Sequence, residues 1–109
     1  MAKNNISLLP WINKENALSE IRRIAAKETE SLIISNHARD RQQQREITDR
    51  QILNVLKNGE LAGVVEWDTK EERGWKCKLS RITAGDQVSI IAKLVKRDGN
   101  KCLIITVWS

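Results

Sequence analysis

Residues 87–108 read QVSIIAKLVKRDGNKCLIITVW, in which two apolar runs flank Asp98-Gly99. An Asp-Gly pair between two such runs is a strong signal for a two-residue hairpin turn. The stretch therefore predicts two antiparallel strands, at about 87–96 and 101–108. The preceding segments at about 61–67 and 74–82 also have strand character, and Ala84-Gly85-Asp86 marks a turn between the second and third strands.

The chain before Gly59 has helix signals instead. Apolar residues from about 13 to 30 recur at helical spacing. The segment 37–47 consists largely of good helix formers and predicts a helix of about two turns. Thr48 and Gln51 have the spacing of a capping box for a third helix that ends at Gly59. Residues 31–35, SLIIS, fit either a short strand or a buried connector.

Helices followed by antiparallel strands predict an α+β domain. We expect two to three N-terminal helices packed on a twisted antiparallel sheet of about four strands. A chain of 109 residues has room for one core, so residues 13–109 are assigned to a single domain and residues 1–12 to an N-terminal arm. No apolar run approaches the ~20 residues of a membrane helix, and no secretory signal pattern is present, so a cytoplasmic location is expected.

The predicted turns assign the strand side chains to two faces. A two-residue turn at Asp98-Gly99 places Lys93 opposite Ile104, and a turn at Ala84-Gly85 or Gly85-Asp86 places Lys76 or Lys78 opposite Lys93. One face is apolar and is assigned to the core: Trp75, Cys77, Leu79, Val88, Ile90, Ala92, Leu94, Leu103, Ile105 and Val107. The second face is mixed: Lys76, Lys78, Ser80, Ser89, Ile91, Lys93, Ile104, Thr106 and Trp108.

The net charge of +5 arises from the C-terminal third of the chain, because residues 1–69 carry equal numbers of basic and acidic side chains. The three central predicted strands place no acid on the second face. Cations, hydroxyls and an indole together suit phosphate binding and base stacking. The alternative is that these lysines only keep exposed strands from aggregating.

The only histidine, His37, lies at the start of the predicted second helix. Arg41 and Arg45 follow it at helical spacing and would form one stripe with it. An imidazole transfers protons near neutral pH, and guanidinium groups bind phosphate, so the stripe suits metal-free RNA cleavage. A structural role for His37 as a cap or hydrogen-bonding group is the alternative, and either arginine could pair with nearby acids.

The two cysteines lie in apolar runs and are most simply small core residues. One histidine and two cysteines in unrelated segments have no zinc-site spacing. No metal and no cofactor is therefore expected.

The pattern His37-Ala38-x-x-Arg41-x-x-x-Arg45-x-Ile47-Thr48, followed by strands that end in Ile104 to Trp108, resembles a small uncharacterised bacterial family. Members commonly read His-Ala-x-x-Arg-x-x-x-Arg-Gly-Ile-Ser/Thr, and this chain has Glu46 at the glycine position. The resemblance covers about residues 33–108. The order of elements is also similar to that of the RelE superfamily of messenger-RNA interferase toxins, MqsR above all. These resemblances imply a RelE-like ribonuclease domain that is neutralised by an antitoxin, often of the zinc-ribbon type.

Three functions are therefore considered. The first is a toxin of a toxin–antitoxin pair, a metal-independent endoribonuclease that cleaves messenger RNA by 2′-hydroxyl attack. The second is a non-catalytic module of the same fold that binds nucleic acid or a partner, and the third is a protein-interaction domain whose sheet edge accepts a strand. In the first, the catalytic residues are His37, Lys93 and Lys78, and the RNA-binding residues are Lys76, Arg41, Arg45, Arg81 and Trp108.

Overall fold

The computed structural model describes residues 10–109 and has the predicted α+β architecture. The elements in chain order are α1 (Lys14–Lys27), a 3₁₀ turn (Thr29–Ser31), β1 (Leu32–Ile34), α2 (Asn36–Gln44), α3 (Asp49–Asn58), β2 (Glu60–Asp68), β3 (Gly74–Thr83), β4 (Asp86–Lys96) and β5 (Asn100–Trp108). The strands form one open sheet in the order β1-β5-β4-β3-β2.

The sheet is larger than predicted and is mixed rather than antiparallel. The segment 31–35 contains β1, which pairs in parallel with β5, so that Leu32 lies beside Cys102 and Ile34 beside Ile104. Three residues are too few to show a two-residue period, and this is why the sequence left the choice between strand and connector open. The sheet therefore has five strands rather than about four.

The predicted register of the last hairpin is wrong next to the turn. Lys93 faces Leu103, not Ile104, because Lys96 pairs with Asn100 and the connection is three residues long, with Asp98 and Gly99 both at positive φ. A bulge at Ile105 then restores the predicted pairing of Ile91 with Thr106. Cys102 and Ile104 consequently point into the core, in place of the predicted Leu103 and Ile105.

The preceding hairpin follows one of the two predicted alternatives. Ala84 and Gly85 form a two-residue turn, both at positive φ, as the twist of a tight hairpin requires. Lys76 therefore lies directly opposite Lys93, and Lys78 lies opposite Ile91.

The core lies between one face of the sheet and the helices α1 and α3. Buried aliphatic residues of α1 and α3 pack on Leu79, Ile90 and Leu94. The capping box of α3 is present, with the Thr48 side chain accepting from the Gln51 backbone N–H and the Gln51 side chain accepting from that of Thr48. This packing leaves the opposite face of the sheet free of α1 and α3.

The backbone at the end of α2 explains why the similar family commonly has glycine at the position of Glu46. Glu46 has φ of 55°, the Ile47 N–H donates to the Gln42 carbonyl at 2.9 Å and the Glu46 N–H donates to that of Gln43 at 3.3 Å. These bonds form a Schellman motif, whose left-handed residue is usually glycine. Glu46 therefore carries a steric cost that glycine would avoid.

Part of the predicted N-terminal arm is packed against the domain. Trp11 donates from Nε1 to Asn100 Oδ1 at 2.8 Å, and Trp75 Nε1 donates to the Ile12 carbonyl at 2.8 Å. Trp67 contacts Trp11 and Trp75 edge-on, with ring centroids 5.9 and 5.3 Å away. Residues 1–9 of the predicted arm lie outside the described residues.

Within residues 10–109, no helix has the length and apolar character that a membrane span requires.

Candidate functional site

The outer face is defined here as the strand side chains that point away from α1 and α3. Its central members are Lys76, Lys78, Ser80, Ser89, Ile91, Lys93, Leu103, Thr106 and Trp108. Apart from Leu103, which replaces Ile104, this is the predicted second face. The alternation of strand side chains was therefore sufficient to group these residues, although the β5 bulge changed one of them.

An open groove of about 700 Å³ crosses one end of the outer face. A cation and an aromatic ring are in contact in this groove, since Lys78 Nζ lies 5.1 Å from the centroid of the Trp108 ring. Beside them the hydroxyls of Ser80 and Ser89 are hydrogen-bonded at 2.8 Å. The pairing of Ser80 with Ser89 and of Ser89 with Trp108 across three adjacent strands creates this arrangement.

A second cleft of about 330 Å³ continues the groove along β2 and β3. It arises from a bulge in β2, where residues 63–65 stand opposite Cys77 alone. Gly63 adopts φ of 80° there. Ala62 and Lys78 line both cavities, so the two form one track that runs from Trp108 to Lys76.

At the far end of this track, Lys76 and Lys93 share one acid. Asp68 Oδ2 lies 3.3 Å from Lys93 Nζ and 3.5 Å from Lys76 Nζ. The Lys93 ammonium also donates to the Lys70 carbonyl at 2.9 Å, and Lys93 is only 4% exposed. Lys93, predicted as a catalytic residue, is thus held in an ion cluster in this structure and is closed to solvent.

The same contacts stabilise the charge of Asp68. A hydrogen bond from the Lys70 backbone N–H, together with the ammonium groups of Lys93 and Lys76, lowers the pKa of the Asp68 carboxyl. Asp68 is therefore an anion at neutral pH.

The outer face is less basic than the sequence indicated, because β2 adds acids to it. Glu66 is the cross-strand partner of Lys76, and Asp68 is next to it on the same face. The prediction considered only the three central strands, and the β2 bulge prevents a simple extrapolation of register to β2. Asp68 was therefore missed as a member of this site.

The predicted stripe of His37, Arg41 and Arg45 lies on a different part of the molecule. Ser35 fixes the start of α2 on β5. Its backbone N–H donates to the Ile104 carbonyl at 3.1 Å, and its hydroxyl donates to the carbonyl of the bulged Ile105 at 2.9 Å. His37 is exposed and Arg41 is half-buried one turn later, whereas Arg45 is the cap residue beyond the helix.

The structure thus brings the predicted residues together in three separate groups. Lys78 contacts Trp108, Lys76 and Lys93 share Asp68, and His37 and Arg41 lie on α2 beside β5. Among residues 10–109, no hydrogen bond or ion pair involves the His37 side chain. The helix α2 packs on β5, and β4 lies between β5 and the lysines of β3.

Arg81 has a structural contact in addition to its position at the groove. Its guanidinium donates to the Asn58 carbonyl at 3.1 Å, at the C-terminal end of α3, and the residue also lines the larger cavity. Cations at this end of a helix are favoured by the helix dipole.

Both cysteines are buried and have free thiols. Burial raises the pKa of the Cys77 thiol to about 11 and raises that of Cys102 further. Neither thiol is thus a thiolate nucleophile at neutral pH. Residues 10–109 contain no cluster of three or more metal-ligating His, Cys, Asp or Glu side chains.

Residues 34–109 match the family model described as Domain of unknown function (DUF4258). The chain belongs to the DUF4258 family. The DUF4258 region covers α2, α3 and β2 to β5, and therefore every residue of the track and of the α2 stripe. No curated protein and no solved structure matches the chain.

Proposed function

We propose that this DUF4258 domain binds single-stranded RNA along the track on its outer face. The observation that carries the proposal is the ammonium of Lys78 over the indole of Trp108, beside the Ser80 and Ser89 hydroxyls in an open groove. Flat aromatic rings and cations are the two parts from which single-strand binding sites are built. The resemblance to RelE-type interferases, which implies an RNA-facing sheet, supports the same choice of face.

Each part has a distinct role in this proposal. A base stacks on Trp108, an interaction worth about 1–3 kcal/mol in such sites. Lys78 leaves the ring and pairs with the neighbouring phosphate, which its flexible side chain allows. The two serine hydroxyls hydrogen-bond phosphate or ribose oxygens and fix the position of the strand without reading its sequence.

The test compares the affinity of a short single-stranded RNA for the wild-type protein and for two variants, Lys78→Gln and Trp108→Leu. Trp108→Leu is expected to weaken binding by roughly tenfold, as loss of one stacked base implies. Lys78→Gln is expected to weaken binding and to reduce its salt dependence. Lys57→Gln, which removes an exposed lysine on α3, is the matched control. Equal affinity of all four proteins would contradict the proposal.

A second candidate function is cleavage of the bound RNA, as in a metal-independent endoribonuclease toxin. The observation that favours it is the exposed imidazole of His37 with Arg41 one helical turn away. In this reaction a base removes the 2′-hydroxyl proton, the 2′-oxygen attacks phosphorus and the 5′-oxygen leaves with a proton from an acid. The products are a 2′,3′-cyclic phosphate and a 5′-hydroxyl. His37 is proposed as the proton-transfer group and Arg41 as a phosphate ligand.

For this activity, the purified protein should cut RNA in the presence of EDTA and leave cyclic phosphate ends. His37→Ala should lower the rate on the order of 10²-fold or more and leave RNA affinity unchanged. Intact RNA after incubation with wild-type protein, free or on ribosomes, would leave binding as the function.

The proposed place of such an enzyme in the cell is a toxin–antitoxin pair. Expression of the gene alone should arrest growth, and co-expression of the neighbouring open reading frame, the candidate zinc-ribbon antitoxin, should relieve the arrest. Growth without arrest would contradict the toxin role.

A further inference from the structure

The Asp68 carboxylate occupies the position between two lysines that an external anion would also fit. Lys76 and Lys93 are directly opposite each other on adjacent strands, and like charges in that arrangement destabilise a sheet. Asp68 Oδ2 lies within 3.5 Å of both ammonium groups and removes this repulsion. Two cations paired with one anionic oxygen would also suit a phosphate.

The loop 69–73 covers this cluster, and two of its contacts involve carboxylates. The first is the cluster itself, in which the Lys70 N–H donates to Asp68 Oδ1 at 3.0 Å and the Lys70 carbonyl accepts from Lys93. The second joins Glu72 to the β4–β5 connection, where Arg97 Nε donates to both carboxylate oxygens at 2.8 and 3.0 Å. Asp68→Asn removes the anion from the first contact, and Glu72→Gln removes the ion pair of the second.

The cluster is continuous with the proposed RNA track. Lys76 lines the smaller cleft together with Lys78. The two lysines are two residues apart on β3, which corresponds to about 7 Å along the strand. Neighbouring phosphates of one RNA strand can therefore reach both.

We propose that Lys76 and Lys93 form a second phosphate subsite, which is occupied in this structure by the chain's own Asp68 carboxylate and covered by the loop 69–73. A phosphate of the bound strand displaces Asp68 as the loop lifts, and the lysines then face the ligand. The identity of that ligand as RNA rests on the proposed function. The displacement of the Asp68 carboxylate by a phosphate does not depend on the proposed function.

The first test uses inorganic phosphate and thermal unfolding. Asp68→Asn keeps an acceptor for the Lys70 N–H but leaves the two ammonium groups without an anion, so the melting temperature should fall. Phosphate should raise the melting temperature of this variant more than that of the wild type, because a ligand that binds the folded state stabilises it. Glu66→Gln is the matched control, since Glu66 faces Lys76 in register but forms no ion pair within residues 10–109. An equal effect of phosphate on all three proteins would overturn the subsite.

The second test measures the affinity for a short single-stranded RNA. Asp68→Asn, Glu72→Gln and Glu66→Gln each remove one carboxylate, so a general charge effect should be equal in all three. Release of a closed subsite predicts instead that Asp68→Asn and Glu72→Gln bind roughly threefold or more tighter than Glu66→Gln. Glu72→Gln leaves the Asp68 cluster intact and serves if Asp68→Asn folds poorly.

The two proposals fail separately in these experiments. If RNA binding depends on Lys78 but the three carboxylate variants bind alike, the subsite is wrong and the proposed function stands. If wild-type protein does not bind RNA but phosphate selectively stabilises Asp68→Asn, the subsite stands and its ligand is an anion other than RNA.

Discussion

Lys78 and Trp108 meet because each occupies an outward position on its strand, and that placement follows from side-chain alternation alone. The ion pairs of Lys93 could not be deduced in the same way. They require the position of Asp68 on β2 and of the loop after it, and both follow a bulge that sequence periodicity does not reveal. A residue with the right charge on the right face was therefore identified, but its partners were not.

Because Lys93 is buried and hydrogen-bonded, its substitution should lower the stability of the fold. Lys93→Met should lower the free energy of unfolding by about 1–3 kcal/mol, because the Lys70 carbonyl and Asp68 lose a buried donor. Lys78→Met, at an exposed site, should change it by less than about 0.5 kcal/mol. Chemical denaturation of both variants measures the difference. Equal stability of the two would mean that Lys93 is not held as the structure shows.

Glu46 allows a stabilising substitution. Its φ of 55° costs an L side chain roughly 1 kcal/mol, so Glu46→Gly should raise the free energy of unfolding by about that amount. Gln43→Gly, three residues earlier and within α2, should lower it by roughly 0.5–1 kcal/mol. Chemical denaturation of both variants measures these changes. If the two denaturant midpoints shift in the same direction from that of the wild type, the Schellman geometry is contradicted.

At the level of the elements, local chemistry predicted the parts whose signals are local. Thr48 and Gln51 identified the start of α3, and Ala84-Gly85-Asp86 located the turn between β3 and β4. The sequence left open which two of these residues form the turn, and so whether Lys76 or Lys78 faces Lys93. The last hairpin was misjudged because Asp98-Gly99 also suits a three-residue connection with both residues at positive φ. Tertiary pairing alone determines β1, since its register with β5 depends on residues far away in the chain.

The Asp68 carboxylate, at the end of β2, should make the free energy of unfolding depend on pH. Contacts with the Lys70 N–H and with Lys93 and Lys76 lower the pKa of Asp68 below its ordinary value of 3.8. The stability from this carboxylate is fully present above that value and is lost as the pH falls through the lower, folded-state pKa. Unfolding free energy measured between about pH 5 and pH 2 should therefore decrease, and less steeply in Asp68→Asn. Some slope should remain, because hydrogen bonds with Arg97 and Gln42 lower the pKa of Glu72 and Asp49. Identical slopes for the two proteins would contradict the role of Asp68.

At the level of the whole molecule, the helices cover one face of the sheet and leave the other available to a ligand. The helices α1 and α3 pack on one face of the sheet, so any ligand that uses the strands must bind on the other. The excess of positive charge in the C-terminal third predicted a polyanion partner. The strand β2, however, places Glu66 and Asp68 on the same face as the lysines. Lys78 is exposed on this face and Lys76 is partly exposed in the smaller cleft, whereas Lys93 is buried and faces a ligand only if Asp68 withdraws.

His37 and the track are separate in the structure, and this determines how the cleavage proposal must work. Trp108 lies on β5, the strand against which α2 packs. An RNA strand that stacks on Trp108 and continues across the edge of β5 would reach α2, whereas a strand confined to β3 and β4 would not. Cleavage therefore requires a longer RNA than binding does.

The most direct test of RNA binding on the outer face is a map of amide and indole chemical shifts during titration with a short single-stranded RNA. The largest changes are expected at Lys78, Ser89 and the Trp108 indole, and no change is expected on the exposed side of α1, which includes Ser19 and Arg23. Changes confined to the helices, or none along β3, β4 and β5 at saturation, would contradict RNA binding on this face.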